Sequence, residues 1–140
     1  MKIFTDASFD DKRKIAGIGI CIQDGYKQRI FSIWTPARTI NDAELYAIHI
    51  ASILSEGRGV IYTDSQTAIS YINDQIKDKP RTKEQYLNHM QCRYWASQIK
   101  RRKIQVEKIK GHKKLFQTHQ LGNNLADLLA RTGLAKYYER

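Results

Sequence analysis

The chain has 140 residues, 41% of them hydrophobic and 27% charged, which suits one soluble domain over 1–140 with a core needing neither disulfides nor a structural metal. Its formal charge of +10 points to a polyanionic partner, and the absence of any apolar run of about 18 residues argues against a membrane span. Two isolated cysteines, Cys21 and Cys92, and no apolar leader exclude a disulfide framework, a zinc-ligand pattern and secretion, so a cytoplasmic protein is expected.

Lys2 to Thr5 reads as a short strand ending at Asp6. Ala16 to Gln23 is β-rich, with Gly17 and Gly19 on one face and Ile18, Ile20 and Ile22 on the other. Asp24-Gly25 marks a tight turn, and Lys27 to Trp34 returns as a third antiparallel strand. Asn41 or Asp42 can cap a helix through Leu54, with Leu45, Ile48, Ala51 and Leu54 at helical spacing, and Gly57 and Gly59 close it. Val60 to Thr63 is a short buried strand, and Asp64-Ser65 caps a helix over Gln66 to Ile76. A charged connector around Pro80 leads to a long helix, Thr82 to Arg102, with Tyr86, Met90, Tyr94 and Ile99 expected on its buried face. Ile104 to Ile109 reads as a strand, Gly111 to Gly122 as a loop and Asn123 to Arg131 as the last helix. Antiparallel strands first, then strands separated by helices, predict a mixed sheet with helices on its faces.

Four acids stand at the ends of apolar segments: Asp6, Glu44, Asp64 and Asp127. Ile3-Phe4-Thr5-Asp6 and Ile61-Tyr62-Thr63-Asp64 share one form, an apolar strand ending in Thr-Asp. If these strands pair in parallel, both acids fall at one sheet edge, where open α/β folds bind ligands. Each acid also has a bland role. Asp64 suits a helix cap, and Glu44 a first-turn acid on the helix dipole. Four acids converging on one edge would repel one another, an arrangement that suits divalent cations held by oxygen ligands.

Several segments resemble the ribonuclease H family. Thr5-Asp6-Ala7-Ser8 followed by Gly17-Ile18-Gly19 is similar to its first two strands. Thr39 to Ala47 resembles the start of its first helix, and Tyr62-Thr63-Asp64-Ser65-Gln66 the end of its fourth strand. Lys110-Gly111-His112 and Asn123 to Ala130 resemble its late loop and last helix. The match is end to end and in unbroken order.

The resemblance implies a ribonuclease H-like α/β fold, a five-stranded mixed sheet of order 3-2-1-4-5 flanked by helices. It implies an endonuclease that hydrolyses the RNA strand of RNA–DNA hybrids, leaving 5′-phosphate and 3′-hydroxyl ends. Two Mg²⁺ ions would be held by Asp6, Glu44, Asp64 and Asp127, with Mn²⁺ as a substitute. Asp6 would bridge them, Asp127 would serve the ion that activates water, and Glu44 and Asp64 the ion on the leaving-group side. Thr39 and Asn41 match positions that hold the DNA strand. Ala7, Gln66 and Asn123 are further substrate-binding positions, Gln66 near the minor groove. His112 would move protons or help product leave, with His119 as its rival in the same loop.

Two departures stand out. The stretch from His112 to Asp127 is longer than in common bacterial members and carries Leu115 and Phe116, which suit a lid. The extra basic helix of many bacterial relatives is missing. Lys77, Lys79, Arg81 and Lys83, or Arg101, Arg102 and Lys103, are the candidate substitutes. Met1 directly before the first strand suggests no separate hybrid-binding domain ahead of it, and a monomer is expected. The alternatives are a catalytically silent nucleic-acid-binding module and another nuclease of this fold, a junction resolvase or integrase-like enzyme. Fold alone does not separate these.

Overall fold

The computed structural model describes residues 1–109 and 118–140. Its elements run β1 (Lys2–Asp10), β2 (Ile15–Asp24), β3 (Lys27–Pro36), α1 (Ile40–Leu54), β4 (Val60–Thr63), α2 (Gln66–Ile72), α3 (Lys83–Arg101), β5 (Gln105–Lys108) and α4 (Thr118–Glu139). The five strands form one mixed sheet of order β3-β2-β1-β4-β5, as expected. On one face Ile3, Ile18, Ile20, Ile22 and Ile61 join Ala43, Leu45 and Ile48 of α1, Ala68 of α2 and Cys92, Ala96 and Ile99 of α3 in the main core. On the other face Phe4 and Cys21 pack with Ala126 and Leu129 of α4. Among the described residues no helix is long and apolar enough to cross a membrane.

β1 is longer than the predicted Lys2–Thr5, and the reason bears on function. Its antiparallel pairing with β2 continues to Asp10↔Ile15, whereas its parallel pairing with β4 stops at Phe4↔Tyr62. Asp6 therefore lies within a strand but beyond the last β1–β4 pair. The sheet splits there, and the split leaves room for side chains between β1 and β4.

The expected faces of β2 hold. Ile18, Ile20 and Ile22 are buried in the main core, and Gly17 and Gly19 face α4. A Cβ on Gly19 would stand 2.1 Å from the Ala126 carbonyl oxygen, and one on Gly17 1.9 Å from that of Ala130. These two glycines let the α4 backbone lie directly on the sheet.

Helix boundaries differ from expectation in three places. Thr39, not Asn41 or Asp42, caps α1, its hydroxyl accepting the Asp42 N–H at 3.1 Å. Asp42 is instead buried and clamps the first turn. Its carboxylate accepts the Arg38 N–H at 2.8 Å and the Trp95 indole N–H of α3 at 2.7 Å. α2 is capped by Ser65 and ends at Ile72 rather than Ile76, because the chain turns through Asn73 and Asp74, the latter at φ 54°. α4 begins at Thr118 and runs to Glu139, so the predicted Asn123–Arg131 helix is extended at both ends. Gly122 is not a loop residue; it sits inside α4 because a Cβ there would collide with the Phe4 ring at 2.4 Å.

The buried face of α3 is also corrected. Cys92, Ala96 and Ile99 face the core, while Tyr86, Met90 and Tyr94 are exposed at 54%, 44% and 54%. α3 joins a cluster built on Ala43, Ala47 and Ala51, where small side chains allow close helix approach. Of the residues expected on the buried face only Ile99 is buried, and the large side chain that α3 turns toward α1 is Trp95, whose ring meets Tyr46 at 4.9 Å by centroid.

Candidate active site

Asp6, Glu44 and Asp64 meet where the sheet splits, each offering a carboxylate oxygen within 4.8 Å of the others. Asp6 comes from β1, Asp64 from the residue after β4 and Glu44 from α1. The parallel β1–β4 register brings the two aspartates together. The Thr39 cap fixes the first turn of α1 and so aims Glu44 inward. The Ala7 N–H ties strand to helix, donating to Asp6 Oδ1 at 2.9 Å and to Glu44 Oε1 at 3.1 Å.

The electrostatics of this trio are strained. Asp6 is 7% exposed and Glu44 5%. Burial, then the neighbouring Asp64 charge, push the Asp6 carboxyl up to about 7. Burial, then Asp6 and Asp64, hold Glu44 well above the ordinary carboxylate range. Asp6 and Glu44 also share a side-chain hydrogen bond. Glu44 Oε2 is buried with no hydrogen-bond partner. Hard oxygen donors, mutual repulsion and an orphaned buried oxygen are together what a divalent cation relieves, so these residues fit the metal that the resemblance implies.

Asp127 stands in the third turn of α4 rather than its first turns, because α4 starts earlier than expected. Its charge contributes to raising Asp6, so it belongs to the same neighbourhood. It lies outside the tight trio, however, with its side chain 48% exposed and paired to Arg131 at 3.2 Å. The Arg131 contact was not anticipated, although the i, i+4 spacing from Asp127 was a readable signal.

The remaining candidates are spread over several elements. Thr39 and Asn41 line a groove together with Lys79, Gln85, Asn88 and His89. Gln66 is exposed at the start of α2, its amide donating to Ser70 at 3.4 Å. Ala7 presents no free N–H, because both carboxylates take it up. Asn123 is 8% exposed with its Oδ1 buried and unpartnered, so it faces inward rather than to solvent. His112, with Lys110, Gly111, Leu115 and Phe116, lies outside the described residues. His119 lies in the first turn of α4, its ring 4.3 Å from Tyr62 and 6.1 Å from Phe4 by centroid. Both rings precede a site aspartate by two residues, so His119 packs on the two strands that lead to Asp6 and Asp64.

Many solved structures share this fold, among them the following three. A ribonuclease H1 from the halophilic archaeon Halobacterium salinarum superposes with a TM-score of 0.65 at 14% identity, covering 96% of this chain and 97% of that one. The N-terminal ribonuclease H domain of a Mycobacterium tuberculosis protein, solved as a fusion with maltose-binding protein, gives 0.65 at 17% identity, covering 99% and 96%. The protease–reverse transcriptase of prototype foamy virus gives 0.64 at 24% identity, covering 94% of this chain but 20% of that larger one. A search of curated protein sequences finds no match. The family model for RNase H matches residues 1–135. With that match spanning nearly the whole sequence, the chain belongs to the ribonuclease H family.

Proposed function

We propose that this protein is a metal-dependent endonuclease that hydrolyses the RNA strand of RNA–DNA hybrids. The observation that carries this is the Asp6–Glu44–Asp64 trio at the split sheet edge of a ribonuclease H family chain. Asp6, Glu44 and Asp64, with Asp127 nearby, would hold two divalent ions, Mg²⁺ being the hard cation such oxygen donors suit. When bound, such ions supply an activated water and neutralise charge on the leaving oxygen, giving 5′-phosphate and 3′-hydroxyl ends.

The chain's own residues position the substrate. The Ala7 N–H donates to both Asp6 and Glu44 and so holds the two carboxylates side by side. Thr39 and Asn41 line the groove that would take the DNA strand, with Lys79 on its rim. Lys77, Arg81 and Lys83 are exposed on or beside the same connector. This juxtaposition favours the connector, rather than Arg101, Arg102 and Lys103, as the substitute for the missing basic helix. Gln66 is exposed and able to meet a 2′-hydroxyl, the group that separates RNA from DNA.

The decisive experiment is cleavage of end-labelled RNA–DNA hybrid, duplex DNA, duplex RNA and a four-way junction with Mg²⁺. Cutting confined to the RNA strand of the hybrid is expected. Efficient cutting of duplex DNA or the junction would show a different nuclease on this fold.

A further inference from the structure

At the C-terminal end of α4 an arc of aromatic rings lies on the α4 side of the sheet, where Trp34 pairs with Gly17. Trp34 of β3 meets Tyr137 edge-on with centroids 5.1 Å apart, and Tyr137 meets Tyr138 at 5.5 Å. Guanidinium groups lie on these rings. Arg140 sits 4.1 Å from the Tyr137 centroid and 6.0 Å from that of Trp34, and Arg13 sits 5.5 Å from Tyr138. Rings that served only to dock α4 would be covered, yet Trp34 is 39% exposed and Tyr138 51%.

The register fixes where this arc lies. Asp6 pairs with Gly19 and Gly19 with Ser32; one pleat further on, Ser8 pairs with Gly17 and Gly17 with Trp34. Trp34 is thus two strands and two residues from Asp6, about 12 Å at ordinary strand spacing. Tyr138 donates to Asp10, which lies four residues beyond Asp6 on β1. Along α4, Asp127, Arg131 and Tyr138 are spaced to share one side of the helix. A basic and aromatic path therefore leads from the carboxylates to the arc.

The chemistry selects one kind of occupant. Arg13 and Arg140 attract phosphates, and the exposed parts of Trp34 and Tyr138 offer ring surface to flat partners. Duplex bases are already stacked on one another and cannot lie on a protein ring; unpaired bases can. The flanking Lys12 and Lys136 are exposed and add positive charge. Asp10 is held by Tyr138 and Arg13. We propose that the Trp34–Tyr137–Tyr138 arc, with Arg13 and Arg140, is a stacking platform for single-stranded nucleic acid next to the site. It would hold an unpaired tail flanking a duplex without reading its sequence.

Binding of labelled 12-nucleotide oligomers in EDTA tests this without any contribution from cleavage. Oligouridylate and oligothymidylate should each bind at least about 5-fold more tightly than an abasic oligomer of equal charge; their ratio shows whether RNA or DNA is preferred. Trp34→Leu and Tyr138→Leu should each weaken binding by about 5- to 100-fold, and Tyr138→Phe should keep it. An abasic oligomer that binds as tightly as oligouridylate would overturn the proposal with no variant needed, since charge alone would then suffice. Unchanged binding by Trp34→Leu would overturn it as well. So would a concentration-dependent dimer that Trp34→Leu dissociates, because a second copy would then occupy the arc.

Discussion

Replacing Asp6 with Asn separates the electrostatic strain of the folded site from the cation binding proposed for it. The wild-type carboxyl is pushed up from 3.8 to about 7 by burial and by Asp64. Its folded form therefore binds a proton more tightly than the unfolded chain does. This group's contribution to stability is fully present below about pH 3.8 and is lost as pH rises through about 7. A shift of that size corresponds to at most about 4 kcal/mol of folding free energy, at about 1.4 kcal/mol per tenfold change. Glu44 and Asp64 keep their burial and mutual repulsion in the variant, so roughly half of that is expected to be recovered. Asp6→Asn should thus raise metal-free stability at pH 8 by about 2 kcal/mol, roughly 6–10 °C in Tm for a chain of this size. The gain should shrink toward pH 5.5. Mg²⁺ should stabilise wild type and barely affect the variant, whose cleavage should fall by orders of magnitude. Thermal melts at both pH values, with EDTA and with Mg²⁺, measure all of this. Equal melting of the two proteins in EDTA at pH 8 would refute the view that the trio is electrostatically strained.

Three further outcomes are expected. Gly19→Ala should destabilise by about 3 kcal/mol or more through overpacking, because its Cβ would meet backbone at 2.1 Å; Gly25→Ala, with open space at φ 61°, should cost about 1–2 kcal/mol, and chemical denaturation compares them. His119→Ala should lower Tm by removing a ring packed on Tyr62 while leaving kcat within a few-fold, whereas His112→Ala should slow turnover about 10- to 100-fold at unchanged Tm; the reverse pattern in paired kinetics and melts would exchange their roles. Hybrid binding should weaken steeply with salt, log K against log salt sloping at about −3 to −5 for four to six neutralised phosphates, and a flat slope in a titration would show that the surplus charge is not the binding surface.

The sequence by itself determined the sheet and its acids. Period-two alternation, the Asp24-Gly25 turn and the repeated Thr-Asp strand ends are local signals, and one parallel pairing converts them into the Asp6–Asp64 juxtaposition. The split in the sheet was not legible. It depends on β1 holding β2 to Asp10 while releasing β4 after Phe4, a comparison between two partners that no single segment carries. The α3 face is legible only in part for a related reason. Ile99 is buried as its spacing suggests, but Tyr86, Met90 and Tyr94 are not, because helical spacing shows which residues share a side and contacts with the distant α1, such as Trp95 with Asp42, decide which side is covered. Gly122 shows the same division: local propensity makes glycine a loop residue, and only the Phe4 ring pressed against it explains a glycine within a helix. Local chemistry set the elements and offered the acids. Packing between distant segments decided boundaries and faces, because excluded volume is a property of the assembled neighbours and not of the chain.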